Sequence, residues 1–251
     1  MNKPTLYLNL CTEFFDADKP IASRKEYAFF YHYLAQAQGK ILEPMCGTGR
    51  YLIPYLEEGF DIAGFDASPF MLKALHDKCA HKNLKPHVWE QFLEDVPTIQ
   101  KYNLIFIPDS SFCLFLDVKQ IKTCLQKIYS LLEAGGTFVF DVETMYAVPD
   151  KVGVWQGKAY KKNDGNIIMC STLPLPIENN IATVICRYEL INQTEIVKTE
   201  MEYFQIKLYH PAEMDALLKE VGFSDIKKIA AHDHTVTPSP YDYTVVYECK
   251  K

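Results

Sequence analysis

Apolar residues recur along this chain in two rhythms, one helical and one alternating. Tyr27, Phe30, Tyr31 and Leu34 fall at helical spacing after Ser23, and that pattern stops at Gly39. Ile41 and Leu42 then open a short buried strand that breaks into a turn at Gly47 and Gly49. Glycine there lets the backbone bend sharply and lets a ligand approach the main chain. Gly59 closes the next helix, and residues 60–65 form a second apolar strand. Ser68-Pro69 supplies an N-cap with proline at the first helical position, and the helix runs on through Met71 to His76. These pieces make a βαβ crossover of the expected length.

The same reading continues downstream. Residues 86–92 read as a third strand and its exit, and Tyr102 to Ile107 as a central buried strand ending in Pro108-Asp109-Ser110. Ile121, Leu125, Ile128 and Leu132 form one helical stripe closed by Gly135-Gly136, and residues 137–143 are a fifth strand interrupted by Asp141 and Glu143. Past Pro149 the rhythm changes. Residues 153–206 alternate as antiparallel strands joined by turns such as Glu178-Asn179-Asn180, with no helical stretch between them. Arg187, Tyr188, Glu200 and Glu202 give this small sheet a polar side. That side is a solvated face unless the sheet roofs the crevice, in which case Arg187 or Tyr188 would touch substrate. A helix over 212–221 ending at Gly222, then strands at 226–231 and 243–249, complete the pattern.

Motif order carries a resemblance. Glu43-Pro44-Met45-Cys46-Gly47-Thr48-Gly49-Arg50, followed by Gly64-Phe65-Asp66-Ala67-Ser68-Pro69-Phe70-Met71-Leu72, resembles the first two motifs of class I S-adenosylmethionine-dependent methyltransferases. The likeness covers roughly residues 40 to 145 well. It implies an α/β fold, a doubly wound Rossmann-like seven-stranded sheet whose last strand runs antiparallel. An antiparallel β insertion follows the fifth strand, as in sugar-amine N-methyltransferases. The domain plan is then a lid or helical segment at 1–39, a cofactor-binding core at 40–145 and 209–251, and the insertion at 146–208, which would shape the substrate pocket and a possible homodimer.

The resemblance also implies roles. S-adenosylmethionine would be the cofactor, with Met45, Cys46, Gly47 and Gly49 around its methionine and ribose portion and Glu43 orienting the loop or the amino group. Asp66, about 17 residues past Gly49, would hold the ribose hydroxyls. Ala67 and Met71 would lie against adenine, and Pro108 would face the cofactor from the end of the fourth strand. The family's usual adenine-binding acid after the third strand is missing. Gln91, Phe92 and Leu93 stand there, with Glu90, Glu94 and Asp95 as competitors and core packing as the alternative for Phe92. Methyl transfer needs alignment more than a catalytic triad. An amine acceptor must still lose a proton, for which Asp109, Tyr7, Tyr209 and His210 are candidates, although Asp109 equally suits a cap.

Composition narrows the partners. A net charge of −6 argues against nucleic acid or an anionic membrane, and aromatic residues at 13% leave enough rings to line a pocket, so a small-molecule methyl acceptor is expected. The eight cysteines include no Cys-x-x-Cys pair, and His232-Asp233-His234 has no third ligand nearby, so no metal is expected. Without a signal segment or a bilayer-length apolar run, a cytoplasmic location follows. Two other readings share the βαβ logic. One is a non-catalytic S-adenosylmethionine-binding regulatory protein, which would lack an enclosed substrate cavity. The other is a nicotinamide-dependent oxidoreductase, weakened because Arg50-Tyr51-Leu52 lacks the third glycine.

Overall fold

The computed structural model describes residues 7–230 and 232–251. The part of the expected lid at 1–6 lies outside the described residues, as does the last residue of the strand expected at 226–231. In chain order come α1 (Asn9–Asp18), α2 (Arg24–Gln36), β1 (Ile41–Pro44), α3 (Leu52–Glu57), β2 (Ile62–Asp66), α4 (Pro69–His81), β3 (His87–Glu90) and β4 (Tyr102–Ile107). Then follow α5 (Val118–Leu131), β5 (Leu132–Glu143), β6 (Gln156–Lys161), β7 (Ile167–Pro174), β8 (Ile181–Asn192), β9 (Glu195–Lys207), α6 (Pro211–Val221), β10 (Ser224–Ala230) and β11 (Thr244–Lys250).

Seven strands form one sheet in the order β10-β11-β5-β4-β1-β2-β3, and four form a second in the order β6-β7-β8-β9. In the first, β3, β2, β1, β4 and β5 pair in parallel, while β11 is antiparallel to both β5 and β10. The expected doubly wound fold is therefore present. The chain leaves β1 towards β3 and returns to β4 on β1's other side, so the loops beyond the carboxyl ends of β1 and β4 part. A ligand crevice belongs there.

Central strands are apolar on both faces because both faces are covered. Along β4, Ile105 and Ile107 point into the core under α5 and α6, with Ile121, Leu125, Ile128 and Leu218. Leu104 and Phe106 point into the opposite core, against Phe30 and Leu34 of α2, Leu52 of α3 and Leu75 of α4. Local signals set the helix starts. Ser23 and Glu26 make a reciprocal capping box on α2, and the Ser68 side chain accepts from Met71 N ahead of Pro69 on α4.

α1 is held differently. Its N-cap is Leu8, which offers no side-chain acceptor. Two glutamates of β9 serve instead: Glu202 Oε1 accepts from Tyr7 N and Glu200 Oε2 from Leu10 N, each at 2.6 Å. Beneath them Leu10 and Cys11 pack on Ile168, Cys170, Cys186 and Tyr188, a third apolar cluster separate from the two in the main sheet. The N-terminal segment, expected from sequence as a lid or helical segment, contains a ten-residue helix lying on the small sheet.

One boundary and one face depart from the sequence reading. Leu132 leaves the helical stripe and starts β5, because α5 ends at Leu131 and Leu132 pairs with Tyr102. β3 stops at Glu90, with Gln91 and Phe92 in its exit, as the reading of 86–92 as a strand and its exit allows. Arg187 and Tyr188 do not share a face, since adjacent strand residues point oppositely. Tyr188 is buried under α1, whereas Arg187 is exposed and stacks over Trp155.

Candidate functional site

A cavity of about 690 Å³ opens at the parted loops of β1 and β4. Its floor is the glycine turn. Met45, Gly47 and Gly49 all take positive φ, at 59°, 53° and 80°. A Cβ on Gly49 would stand 2.8 Å from Ile53 Cγ1, so only glycine fits there. A Cβ on Gly47 would meet nothing nearer than Met71 Sδ at 4.0 Å. At that position the missing side chain leaves the backbone open to the cavity.

Asp66, the last residue of β2, fastens the turn. Its Oδ2 accepts from Gly47 N at 2.9 Å and its Oδ1 from Ser68 N at 2.8 Å. Burial pushes this carboxyl up, and the amides of Ser68, Gly47 and Ala67 draw it partly back. Glu43, the third residue of β1, is 2% exposed, and its Oε2 has no hydrogen-bond partner. Burial raises it well above the usual carboxylate range, with the neighbouring Asp66 adding to the rise. Close packing of α3 on β2, which a third glycine on the helix would have allowed, is instead permitted by Gly64 in the strand. A Cβ there would come within 2.6 Å of Leu52 Cδ1.

The residues assigned to the cofactor by sequence line this cavity with one exception: Glu43, Met45, Cys46, Gly47, Asp66, Ala67, Met71, Gln91, Phe92, Leu93 and Pro108 do, whereas Gly49 shapes the turn from behind it, packed toward Ile53 and Leu75. Met71 and Leu93 are buried apolar walls at one end, with Phe70 beside them. Gln91 lies at the same end, its Nε2 donating to Phe92 O at 3.4 Å. Glu94 lines that end as well, but its Oε1 accepts from Gln120. An orphaned buried carboxylate oxygen, a carboxylate at the end of the second strand, and a side-chain-free turn between them fit the ammonium, the ribose hydroxyls and the bend of an adenosyl-methionine skeleton.

The candidate bases fare unequally. Asp109 lines the cavity with φ 59°, but Arg50 Nη1 reaches its Oδ1 at 3.0 Å and Lys19 Nζ its Oδ2 at 3.3 Å. Arg50 Nη2 also contacts Glu26 at 3.2 Å. Asp109 is thus a latch joining the end of α1, the glycine turn and the start of α2, with each of its oxygens in an ion pair. Tyr7 lines the cavity, yet burial raises its phenol well above the ordinary value, which suits a hydrogen-bond donor. His210 does not reach the cavity. It is exposed at the N-cap position of α6. Tyr209 is 1% exposed with its hydroxyl buried and unpaired among core residues. The His232 and His234 rings pack on Phe29, and the described residues contain no group able to hold a metal.

Sequence reasoning placed a cover in 1–39 and the 146–208 insertion and offered Tyr188, which does line the cavity, but it missed the other side chains of the roof: Cys11, Phe14 and Phe15 reach the cavity from α1, Lys19 from just past its end, and Cys170, Glu202 and Ile206 from the small sheet. It also missed Asp141 as a support. This buried carboxylate accepts from Ser110 N at 2.8 Å and Ser110 Oγ at 2.9 Å, holding a loop in which Asp109 and Ser110 are both left-handed. Burial moves Asp141 up to about 7. The signal for it was present in the sequence, as a charged residue inside an otherwise apolar strand.

Residues 41–136 match a family model described as a methyltransferase domain. Over 150 residues the chain is 25% identical to a putative methyltransferase of Geobacillus sp. (strain WCH70), a stretch covering 59% of this chain and 60% of that relative's length. Among solved structures, an S-adenosylmethionine-dependent methyltransferase from Clostridium acetobutylicum ATCC 824 superposes with a TM-score of 0.77 at 18% identity, over 95% of this chain and 96% of that one. The sugar N-methyltransferase KedS8 from Streptoalloteichus sp ATCC 53650 superposes with a TM-score of 0.74 at 17% identity, over 98% and 97%. At such identities these two structures establish the shared fold.

Proposed function

We infer that this chain, a class I S-adenosylmethionine-dependent methyltransferase by its fold and its matched domain, transfers a methyl group to nitrogen or oxygen of a small molecule held in the cavity. The observation that carries the reading is the floor: Glu43, the Gly47–Gly49 turn and Asp66 meet in one cavity that α1 and the small sheet cover. Such a cover supports turnover over a purely regulatory binding role.

When bound, the cofactor supplies an electrophilic methyl carbon on a sulfonium. The chain's own work is binding and alignment. Asp66 accepts from hydroxyls while its two backbone bonds keep it in place. Glu43 offers its unpaired oxygen to an ammonium. Met71, Phe70 and Leu93 flank the base, and Gln91 supplies an amide beside it. Phe14, Phe15 and Tyr188 exclude water from the acceptor side, where holding two reactants in line supplies most of the acceleration. A sugar or comparably small polar body suits a cavity of about 690 Å³ that it shares with the cofactor.

Two further points belong to this proposal. The eight free cysteines are all buried, which suits a reducing cytoplasm, and no helix among the described residues is long and apolar enough to cross a membrane. A homodimer would use the exposed face and edge of the small sheet, where Met201 and Tyr203 are exposed. Sedimentation as a monomer at micromolar concentration would count against it. The functional reading is tested by incubating the protein with methyl-labelled S-adenosylmethionine and a panel of amino sugars and hydroxylated small molecules. Label transferred to an acceptor by the native protein but not by Asp66→Ala supports it. Cofactor binding with no transfer across the panel would favour the regulatory role.

A further inference from the structure

The carboxylates around the acceptor half of the cavity are nearly all engaged. Asp109 is taken by Arg50 and Lys19, and Asp18 by Lys158 and Tyr160. Glu202 accepts from Tyr7 N and the Tyr188 hydroxyl. Glu143 is the exception. It is the last residue of β5, half-buried and lining the cavity, and among the described residues its side chain makes no hydrogen bond or ion pair. Its backbone is fixed on both sides: its N–H donates to Cys113 Sγ at 3.2 Å and its carbonyl accepts from Tyr209 N at 2.9 Å. The charged groups facing it are Lys19 from just past the end of α1 and Asp109 from the loop after β4, and they pull in opposite directions. Burial dominates and raises its carboxyl above the usual range.

A rigidly mounted, unpaired acid on the acceptor side is costly unless something cationic answers it. Resting on the methyltransferase reading, we propose that Glu143 receives the acceptor's ammonium and takes its proton, so that the acceptor is a primary or secondary amine rather than a hydroxyl. The step balances. The ammonium gives a proton to the Glu143 carboxylate, leaving a neutral amine with its lone pair free. That lone pair forms the new N–C bond as the C–S bond breaks, with the electron pair going to sulfur, which becomes a neutral thioether. The product leaves as a methylated ammonium, and Glu143 loses its proton to solvent once the site opens. A hydroxyl can also donate to this carboxylate, but with no positive charge in its ground state it gains less from it before attack than an ammonium does. The apolar walls at Phe14, Phe15 and Ile206 suit a body that is not itself strongly charged.

Matched pairs of probes test this. Cyclohexylamine, 2-phenylethylamine and glucosamine are titrated calorimetrically, at pH 8, into protein saturated with S-adenosylhomocysteine, beside cyclohexanol, 2-phenylethanol and glucose. At least one amine binds about tenfold or more tightly than its hydroxyl counterpart, the size expected of a charge-assisted hydrogen bond. In Glu143→Gln that preference disappears, while S-adenosylhomocysteine affinity stays within about twofold of the native value. An amine preference that survives in Glu143→Gln, or no amine preferred by the native protein, overturns the assignment and leaves the methyltransferase reading standing. Failure of the native protein to bind S-adenosylhomocysteine at all overturns both.

Discussion

The cavity's floor and its roof are built on different principles. The floor is made of backbone: a turn at Gly47 and Gly49, pinned by one carboxylate that bonds two main-chain amides, at the ends of strands buried on both faces. The roof is made of side chains reaching across the chain, with Glu202 bonding Tyr7 N over 195 residues and Glu200 bonding Leu10 N over 190. A floor of this kind is stiff and keeps one ligand shape. The roof rests on its own small apolar cluster and is tied to the floor by a few polar contacts, Ser68 Oγ donating to Tyr7 O at 2.8 Å and Lys19 pairing with Asp109.

The largest expected effect lies in the floor. Asp66→Ala removes the acceptor proposed for ligand hydroxyls and frees the Gly47 and Ser68 amides, so affinity for S-adenosylhomocysteine should fall by about a hundredfold. Calorimetry measures the loss, and a cooperative melt shows that the fold persists. Gly49→Ala should destabilise the whole core by about 2–3 kcal/mol in denaturant titration, because φ 80° strains any side chain and the Cβ meets Ile53 and Leu75.

The pattern of what could be read beforehand follows the same division. Gly47, Gly49, Asp66 and Ser68 lie close together in sequence, and each signals a backbone requirement that its residue type alone reveals. The roof depends on contacts between residues far apart. Glu200, Glu202 and Tyr188 could not be told from solvated positions until α1 was seen lying over them. His210 was a plausible base only while its place relative to the cavity was unknown. It caps a helix on the outside because Pro211 begins α6 there. Asp109 was read as either a cap or a base, and the sequence could not show that Lys19 and Arg50, from segments distant in the chain, would pair with it.

Acidity gives a third way to separate the layers. The Asp141 carboxyl is raised to about 7 by burial, so the folded chain holds a proton there that the unfolded chain, near 3.8, releases. A raised acid makes stability highest below the unfolded value and lowers it as pH rises through the folded one. Glu43, Asp66 and Glu143 are raised too and act with the same sign. Between pH 4 and 7 the native protein should therefore lose stability relative to Asp141→Asn, by on the order of 2 kcal/mol, as read from denaturant midpoints across that window. The variant keeps acceptors for Ser110, so a parallel pair of pH profiles would contradict the assignment.

Smaller effects belong to the roof. Replacing Glu200 and Glu202 together by Gln weakens the cap on α1 by about 1 kcal/mol, so α1 amides exchange several-fold faster while those of β4 are unchanged. Equal acceleration in both elements would mean that roof and floor open together. The smallest effect is His210→Ala, which should leave methyl transfer unaltered because the ring stands outside the cavity.

The most direct test of the account is calorimetric titration of the native protein with S-adenosylmethionine and with S-adenosylhomocysteine, using NAD as the control. The geometry of Glu43, the glycine turn and Asp66 predicts micromolar binding of the first two and none of NAD. Binding of NAD alone would contradict it.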